Sequence, residues 1–429
     1  MSMEARDSTR RSGVFVFAFA LFVAFAMVTV GWRIQHLVGQ SEDPYGYVRM
    51  GRSIANGEGF GAYGSVLNRR GPLYPMFIGA VYALFGERPA LLQILQAFMQ
   101  AGIALLAFDI GQRTFNRRTG IIAGIACALH PAFLRYVADF HVETFLTVLF
   151  TLTLWSTVRF VERPTIRAAA LIGICAGLAA LTKPVALPYP FLFAAIWLWQ
   201  QRRAQTARNR WPLAAAICAA ALLVVLPWTY RNYRSSGHIV LVTTGVGDAF
   251  LRGYIFSKPE YATLSRPPYT DAEQESNAYF KSLCKQAGTV WERNDVESEQ
   301  ILTREAKRRL GEDFGGFTRK SVTGLFTFWY QMTSFTNSLV VGGTALVSWA
   351  FALIGWRRAR RERRSSWPLF LPILYLNVML ALLLALGRYS VPILPALTIL
   401  AAFGVDTMLS PRGAPANQAA QPAPHPQPV

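Results

Sequence analysis

VFVFAFALFVAFAMVTVGW, residues 14–32, runs for 19 positions without a charged residue. At 1.5 Å of rise per residue, a helix of this length crosses a hydrocarbon core of roughly 30 Å. The run exceeds the apolar stretch of ~7–15 residues found in a cleaved signal peptide. It therefore reads as a membrane helix that stays in the protein. Similar runs recur to residue 408, so the chain reads as an all-α polytopic membrane protein.

Composition agrees. Of 429 residues, 52% are hydrophobic and 16% are charged. A water-soluble chain of this length carries about 25% charge. The net charge of +19 would suggest nucleic acid in a soluble protein, but its placement speaks against that partner. Segments 1–12, 112–119, 157–168, 201–210, 356–366 and 410–429 hold 20 Lys and Arg against four acids. The remainder of the chain is nearly neutral. This is the positive-inside asymmetry, and it puts those six segments in the cytoplasm. Of the four cysteines, Cys127, Cys175 and Cys218 lie in apolar runs, and Cys284 is alone in a polar segment. No disulfide framework or CxxC pair is present.

Hydropathy predicts about ten membrane helices, near 14–34, 89–111, 120–137, 142–160, 168–183, 185–200, 211–229, 338–356, 367–386 and 391–408. Residues 1–229 then form an N-terminal transmembrane module whose first outer loop is 35–88. Residues 230–337 form an extracytoplasmic cap with an interfacial helix, 338–409 the C-terminal membrane helices, and 410–429 a disordered, Pro-rich cytoplasmic tail. No internal repeat is visible, which weakens an inverted-repeat transporter.

The two outer segments are amphipathic. Tyr47, Met50, Ile54 and Phe60 alternate with Arg49, Arg52 and Asn56, which predicts a helix along the membrane surface. MFIGAVYALFG (76–86) is too short to span and reads as interfacial or re-entrant. In the cap, Gly237 closes a turn and Ile239-Val240-Leu241-Val242 reads as a short strand, so the cap is expected to be mixed. Capping boxes at Thr270-x-x-Glu273 and Asn294-x-x-Glu297 predict two helices. Leu302, Ala306 and Leu310 would line one stripe of the second. Residues 316–334 predict another interfacial helix, anchored by Lys320, Trp329 and Tyr330.

Polar residues gather at the outer helix ends: Glu42 and Asp43; Arg69 and Arg70; Asp139, His141 and Glu143; Lys183; Arg231 and Arg234; Arg388 and Tyr389. A carboxylate beside several cations at a lipid interface suits a base that activates a hydroxyl while cations hold a phosphate leaving group. Each residue also has a plainer use. Cations at helix ends snorkel to headgroups, Asp43 can cap the helix that follows, and Glu143 can favour a helix dipole. Lys183 and Arg388 lie in short turns with apolar flanks, where a cation needs a partner. His141 and Glu143, at i and i+2, would point to different faces of a helix, so no metal site is predicted from them.

Five stretches carry a resemblance: EDPYGYVRMGRSIANGEGF (42–60), RRGPLYPMFIGAVYALFG (69–86), LTKPVALPYP (181–190), PWTYRNYRSSGHIVLVTTGVG (227–247) and GRYSVPILPALTILAAFG (387–404). In this order they resemble the C-type (GT-C) integral-membrane glycosyltransferases. The likeness is to the bacterial branch related to protein O-mannosyltransferases and the lipid A aminoarabinose transferase.

The resemblance implies a GT-C-like fold in a bacterial cytoplasmic (inner) membrane, with the active site facing the periplasm or exterior. It implies a polyprenyl-phosphate-linked sugar donor, an envelope glycan, lipid or protein acceptor, and inversion at the anomeric carbon. Asp43 matches the family's catalytic loop acid, although Pro44 stands where many members carry a second acid. Arg388 and Tyr389 match residues that contact the donor phosphate, and Lys183 matches a further cation. Arg70 joins them, and Glu143 is the second acid candidate. A divalent metal is left open. The alternatives are a lipid or solute transporter, a non-catalytic prenyl-lipid-binding scaffold, and a ligase using a polyprenyl diphosphate-linked glycan.

Overall fold

Hydrophobic runs become helices because a backbone in lipid must satisfy its own hydrogen bonds. The computed structural model describes residues 3–38, 46–60, 70–202, 210–262, 268–291 and 295–409. In chain order the helices are α1 (Met3–Val38), α2 (Tyr47–Ala55), α3 (Leu73–Phe85), α4 (Pro89–Thr114), α5 (Arg117–Leu129), α6 (Pro131–Val137), α7 (Glu143–Glu162), α8 (Ile166–Thr182) and α9 (Pro188–Gln201). They continue with α10 (Trp211–Ser236), α11 (Val246–Phe256), α12 (Pro268–Gln286), α13 (Asp295–Glu312), α14 (Phe314–Thr327), α15 (Phe335–Arg361), α16 (Trp367–Ala381) and α17 (Leu394–Leu409). Short 3-10 turns at Pro184–Ala186 and Gly387–Ile393 precede α9 and α17.

Six described helices are long and apolar enough to cross a membrane, or seven if α5 and α6 count as one span. The protein is therefore a multi-pass membrane protein. Three of the ten expected spans correspond to shorter helices, α8 with 17 residues, α9 with 14 and α16 with 15. The expected helix over 120–137 is broken, since α5 and α6 meet at 51°. Pro131 is the cause. It has no N–H for the carbonyl of Cys127, four residues earlier. That carbonyl instead accepts a hydrogen bond from the buried Gln100 side chain at 3.0 Å.

Close helix pairs are made by small residues. In α8, a Cβ at Gly173 or Gly177 would press on the α10 backbone at Ile217 and Ala221. This small-xxx-small pattern lets α8 and α10 approach through van der Waals contact, which replaces the hydrophobic effect inside a membrane. α15 packs on α17, and α4 packs on α1 and α5.

One end of the bundle collects the charges of the basic segments. Arg117 donates to Ser12 Oγ at 2.7 Å, and the buried Asp406 takes Asn116 at 3.0 Å, Arg358 at 3.3 Å and Arg118 at 3.4 Å. Asp109 binds Arg113 at 2.6 Å and Trp155 at 2.8 Å, and Arg113 reaches Glu162 at 3.2 Å.

The region expected to be mixed is helical, with no strand among its described residues. Residues 239–242 lack a partner strand. They fold back along α10, whose side chains take their carbonyls: Asn232 binds Val240, Thr229 binds Leu241 and Trp228 binds Val242, at 2.8–3.0 Å. Gly237 ends α10 with φ 70°, the left-handed closure that favours glycine.

The two helices signalled by capping boxes are α12 and α13. α12 starts at Pro268, before Thr270, and Asn294 lies outside the described residues. The stripe of α13 is buried at Leu302 and Ala306 but is exposed at Leu310. The interfacial reading of 316–334 changes most. Lys320 is buried, Trp329 packs edge-on against Trp349 at 5.3 Å, and Tyr330 donates to the Ala262 carbonyl. Of the three, Lys320 is internal, while Trp329 and Tyr330 remain partly exposed.

Candidate active site

Proline sets the position of the first cation. Pro184 forces the preceding residue out of the helical region, and Lys183 ends α8 extended, with φ −140° and ψ 118°. The turn that follows is pinned by Tyr375, which donates to the Val185 carbonyl at 2.6 Å. Lys183 Nζ then lies 3.3 Å from Glu143 Oε1 and 4.4 Å from the centre of the Tyr389 ring. Its partner is thus a protein carboxylate as well as an aromatic face.

Glu143 is the first residue of α7, at the dipole-favoured end. It is only 2% exposed, and its second oxygen, Oε2, is buried with no hydrogen-bond partner among the described residues. The carboxylate is therefore aimed between helices, unlike a solvated capping acid.

Arg388 and Tyr389 sit in the 3-10 turn ahead of α17. The Arg388 guanidinium donates to Tyr389 Oη at 3.1 Å and stacks 4.9 Å from that ring. Arg388 also lines a cavity of about 110 Å³ with Arg135, Tyr136 and Asn337, walled by Pro131, Met332, Val340 and Val391. The cavity is apolar with a few converging polar groups, as small-molecule sites usually are.

Arg70 comes from the loop ahead of α3. Gly71 makes this approach feasible, because a Cβ there would collide with the carbonyls of Leu181 and Thr182. The Arg70 guanidinium stands 5.3 Å from the ring centre of Tyr47, the first residue of α2. Burial pushes the Tyr47 hydroxyl up to about 12, against the opposing pull of Arg70, with Glu143 and Arg388 also acting on it. Tyr47 thus stays neutral among charges.

The structure brings Arg70, Glu143, Lys183, Arg388 and Tyr389 into one electrostatic neighbourhood, with Tyr47 as an added member. Glu42, Asp43 and Arg69 lie outside the described residues. Arg231 stacks on Trp228 at 4.8 Å and on Phe60 at 5.6 Å, and Arg234 is exposed. Asp139 is engaged with His141 Nδ1 at 2.6 Å. Among the described residues no three His, Cys, Asp or Glu groups converge as metal ligands.

The supporting glutamines of α4 were not singled out from sequence. Gln93 and Gln96 donate to the carbonyls of Ala138 and Asp139 at 2.7 and 2.8 Å, and so fix the turn leading into Glu143. Their signal is three amides at positions 93, 96 and 100, on one stripe of an apolar span.

Residues 69–230 match the family described as dolichyl-phosphate-mannose-protein mannosyltransferase. The fold is similar to the archaeal oligosaccharyltransferase AglB from Archaeoglobus fulgidus, solved with an inhibitory peptide and a dolichol-phosphate. The TM-score is 0.53 at 13% identity, over 92% of this chain and 50% of that one. The apo form of the Archaeoglobus fulgidus oligosaccharyltransferase gives 0.55 at 14% identity, with the same coverage. The chain shares the fold of these oligosaccharyltransferases. It spans about half the length of those oligosaccharyltransferases. ArnT from Cupriavidus metallidurans bound to undecaprenyl phosphate aligns over 91% of this chain and 77% of its own, at 16% identity and TM-score 0.42. No curated protein matches the sequence.

Proposed function

We propose that this chain is a C-type (GT-C) membrane glycosyltransferase, which transfers a sugar from a polyprenyl-phosphate donor to an envelope glycan, lipid or protein, at the outer face of a bacterial cytoplasmic membrane and with inversion. The observation that carries this reading is the convergence of Lys183, Arg388 and Tyr389 on a buried carboxylate, beside an apolar cavity that Arg388 lines. The family match over 69–230 supports it, as does the dolichol-phosphate bound by the similar archaeal oligosaccharyltransferase.

In this reading Asp43 accepts the proton of the acceptor hydroxyl as its oxygen attacks the anomeric carbon. The C–O bond to phosphate breaks, and the electron pair leaves with an already anionic polyprenyl phosphate that needs no general acid. Asp43 is four residues ahead of Tyr47. At ~3.3–3.6 Å per residue, its Cα lies within about 14 Å of that of Tyr47, so the chain allows it to reach the cluster. Arg388, Lys183 and Arg70 stabilise the growing phosphate charge. Such a preorganised clamp contributes several kcal/mol in a water-poor site, as removal of one oxyanion donor costs about 3–4 kcal/mol elsewhere.

The test is transfer from a synthetic short-chain polyprenyl-phosphate sugar in detergent, with donor binding measured separately. Arg388→Ala should lower kcat/KM by about 10²-fold or more, and Arg388→Lys should recover part, because its single ammonium lacks the guanidinium fork. Wild-type turnover by the alanine variant would remove Arg388 from the phosphate site.

A further inference from the structure

Lys320 is read from sequence as a surface anchor, yet it is 2% exposed. Its ammonium lies 4.3 Å from the ring centre of Phe250, 5.4 Å from Phe317 and 5.6 Å from Tyr254. It donates to the Leu382 carbonyl oxygen at 2.6 Å. Leu382 is the residue that ends α16. A cation at a helix C-terminus satisfies an orphan carbonyl and favours the dipole. Burial pulls the ammonium down to about 8, which leaves it mostly charged at neutral pH.

The residues after Leu382 lead directly to Arg388. α16 stops at Ala381, and the Arg388 turn begins at Gly387, so the link has little regular structure of its own. It is held from outside at successive positions. Gly253 of α11 abuts the Leu383 carbonyl so closely that a Cβ would collide with it. Thr327 Oγ1 donates to the Ala385 carbonyl at 3.3 Å, and the Gly387 amide donates to the Gln331 carbonyl at 2.7 Å. Leu384 and Leu386 pack in one apolar cluster with Ile255, Phe256 and Ala272, and Tyr389 rests on it. Elements α11, α12 and α14 thus grip the link from one side.

We propose that Lys320 is a positioning residue, which fastens the 382–387 link to α11 and α14 and thereby sets where Arg388 and Tyr389 stand. Its consequence for donor binding rests on the reading of Arg388 as a phosphate-binding residue. Lys320 itself touches none of Glu143, Lys183 or Arg388. A movement of the α11–α14 helices would be transmitted to the phosphate cations through this contact and those next to it.

The test uses the full chain in nanodiscs and two readouts. Lys320→Met keeps the bulk and the aromatic contacts but removes the donor to Leu382. Hydrogen exchange in a peptide covering 382–390 should become about tenfold faster or more, since local opening no longer breaks that bond. Affinity for a polyprenyl monophosphate should fall about tenfold with kcat changed less, which separates positioning from chemistry. Arg388→Ala should weaken the same binding and leave the exchange as in wild type. Unchanged exchange in Lys320→Met overturns the proposal. Equal binding by wild type and Arg388→Ala overturns the phosphate reading, and with it the functional half of the proposal. Should Lys320→Met fail to fold, Thr327→Val removes the neighbouring hold on Ala385. Faster exchange over 382–390 in that variant supports the grip, and wild-type exchange overturns it.

Discussion

Lys183 and Glu143 face each other 3.3 Å apart, across the junction where α8 ends and α7 begins, with the Glu143 side chain 3% exposed. The pair changes the meaning of both residues. Lys183 has a carboxylate partner before any phosphate arrives, and Glu143 does more than cap a helix. The Tyr389 ring lies over the same ammonium, 4.4 Å from it at its centre.

Breaking this pair by one partner should be costly. Lys183→Met takes from a buried carboxylate its hydrogen-bonded cation and leaves only the more distant Arg388, a loss of up to about 3–5 kcal/mol. Thermal unfolding in detergent should show a lower midpoint for that variant. The double variant Lys183→Met/Glu143→Leu should recover much of it, because two apolar groups replace two charges. Recovery of the midpoint without recovery of transfer would separate the pair's structural and functional roles. No drop in the single variant would show that the pair is solvated.

Asp43 is tested by a near-isosteric change. Asp43→Asn retains size and most hydrogen bonding but cannot take a proton. A base role gives a rate loss of roughly 10²–10⁴ with donor binding almost unchanged. A capping role leaves turnover intact, because Asn caps helices as well as Asp. Turnover within about threefold of wild type assigns Asp43 to the cap and moves the base search to Glu143.

Orientation follows from the charge asymmetry. Engineered cysteines near Asp271 in α12 should react with an impermeant reagent in intact cells, and those near Arg360 in α15 should not. Labelling in the opposite sense would turn the proposed site toward the cytoplasm.

An acid-dependent step is expected in α13. Hydrogen bonds from Arg308, chiefly, and also from Tyr279 and Arg309, outweigh burial and hold the Glu305 carboxyl at about 2, below its ordinary 4.5. A depressed carboxyl contributes stability that is complete above the unfolded value and is lost as pH falls toward the folded one. Exchange protection of α13 should therefore decline between pH 4.5 and 2 in the wild type. In Glu305→Gln it should start lower and vary less across that window. Parallel curves would show that another group governs the acid response.

Much of the candidate site is legible in sequence because its residues sit at helix ends. Hydropathy locates Lys183 after one apolar run, Arg388 before another and Glu143 at the start of a third. What it does not show is which neighbour each one meets. Lys183 with Glu143 and Arg70 beside Tyr47 are pairs 40 and 23 positions apart in the chain. Ile239–Val242 shows a local misreading: β-branched residues suggest a strand, but the carbonyls are claimed by Trp228, Thr229 and Asn232 of α10. Strand propensity describes a fit to a sheet, and no sheet is there.

The sequence by itself determined where the apolar stretches lie. Each residue's transfer cost into lipid adds along a run, so the apolar stretches, their ends and the basic side of the bundle can be read one residue at a time. Only the tertiary structure decided azimuth and partnership. The break at Pro131 mended by Gln100, the carboxylate under Lys183 and the burial of Lys320 against Leu382 all depend on how helices rotate and cross. Those angles are set by close packing between distant segments, as at Gly173 and Gly177, and hydropathy carries no term for them.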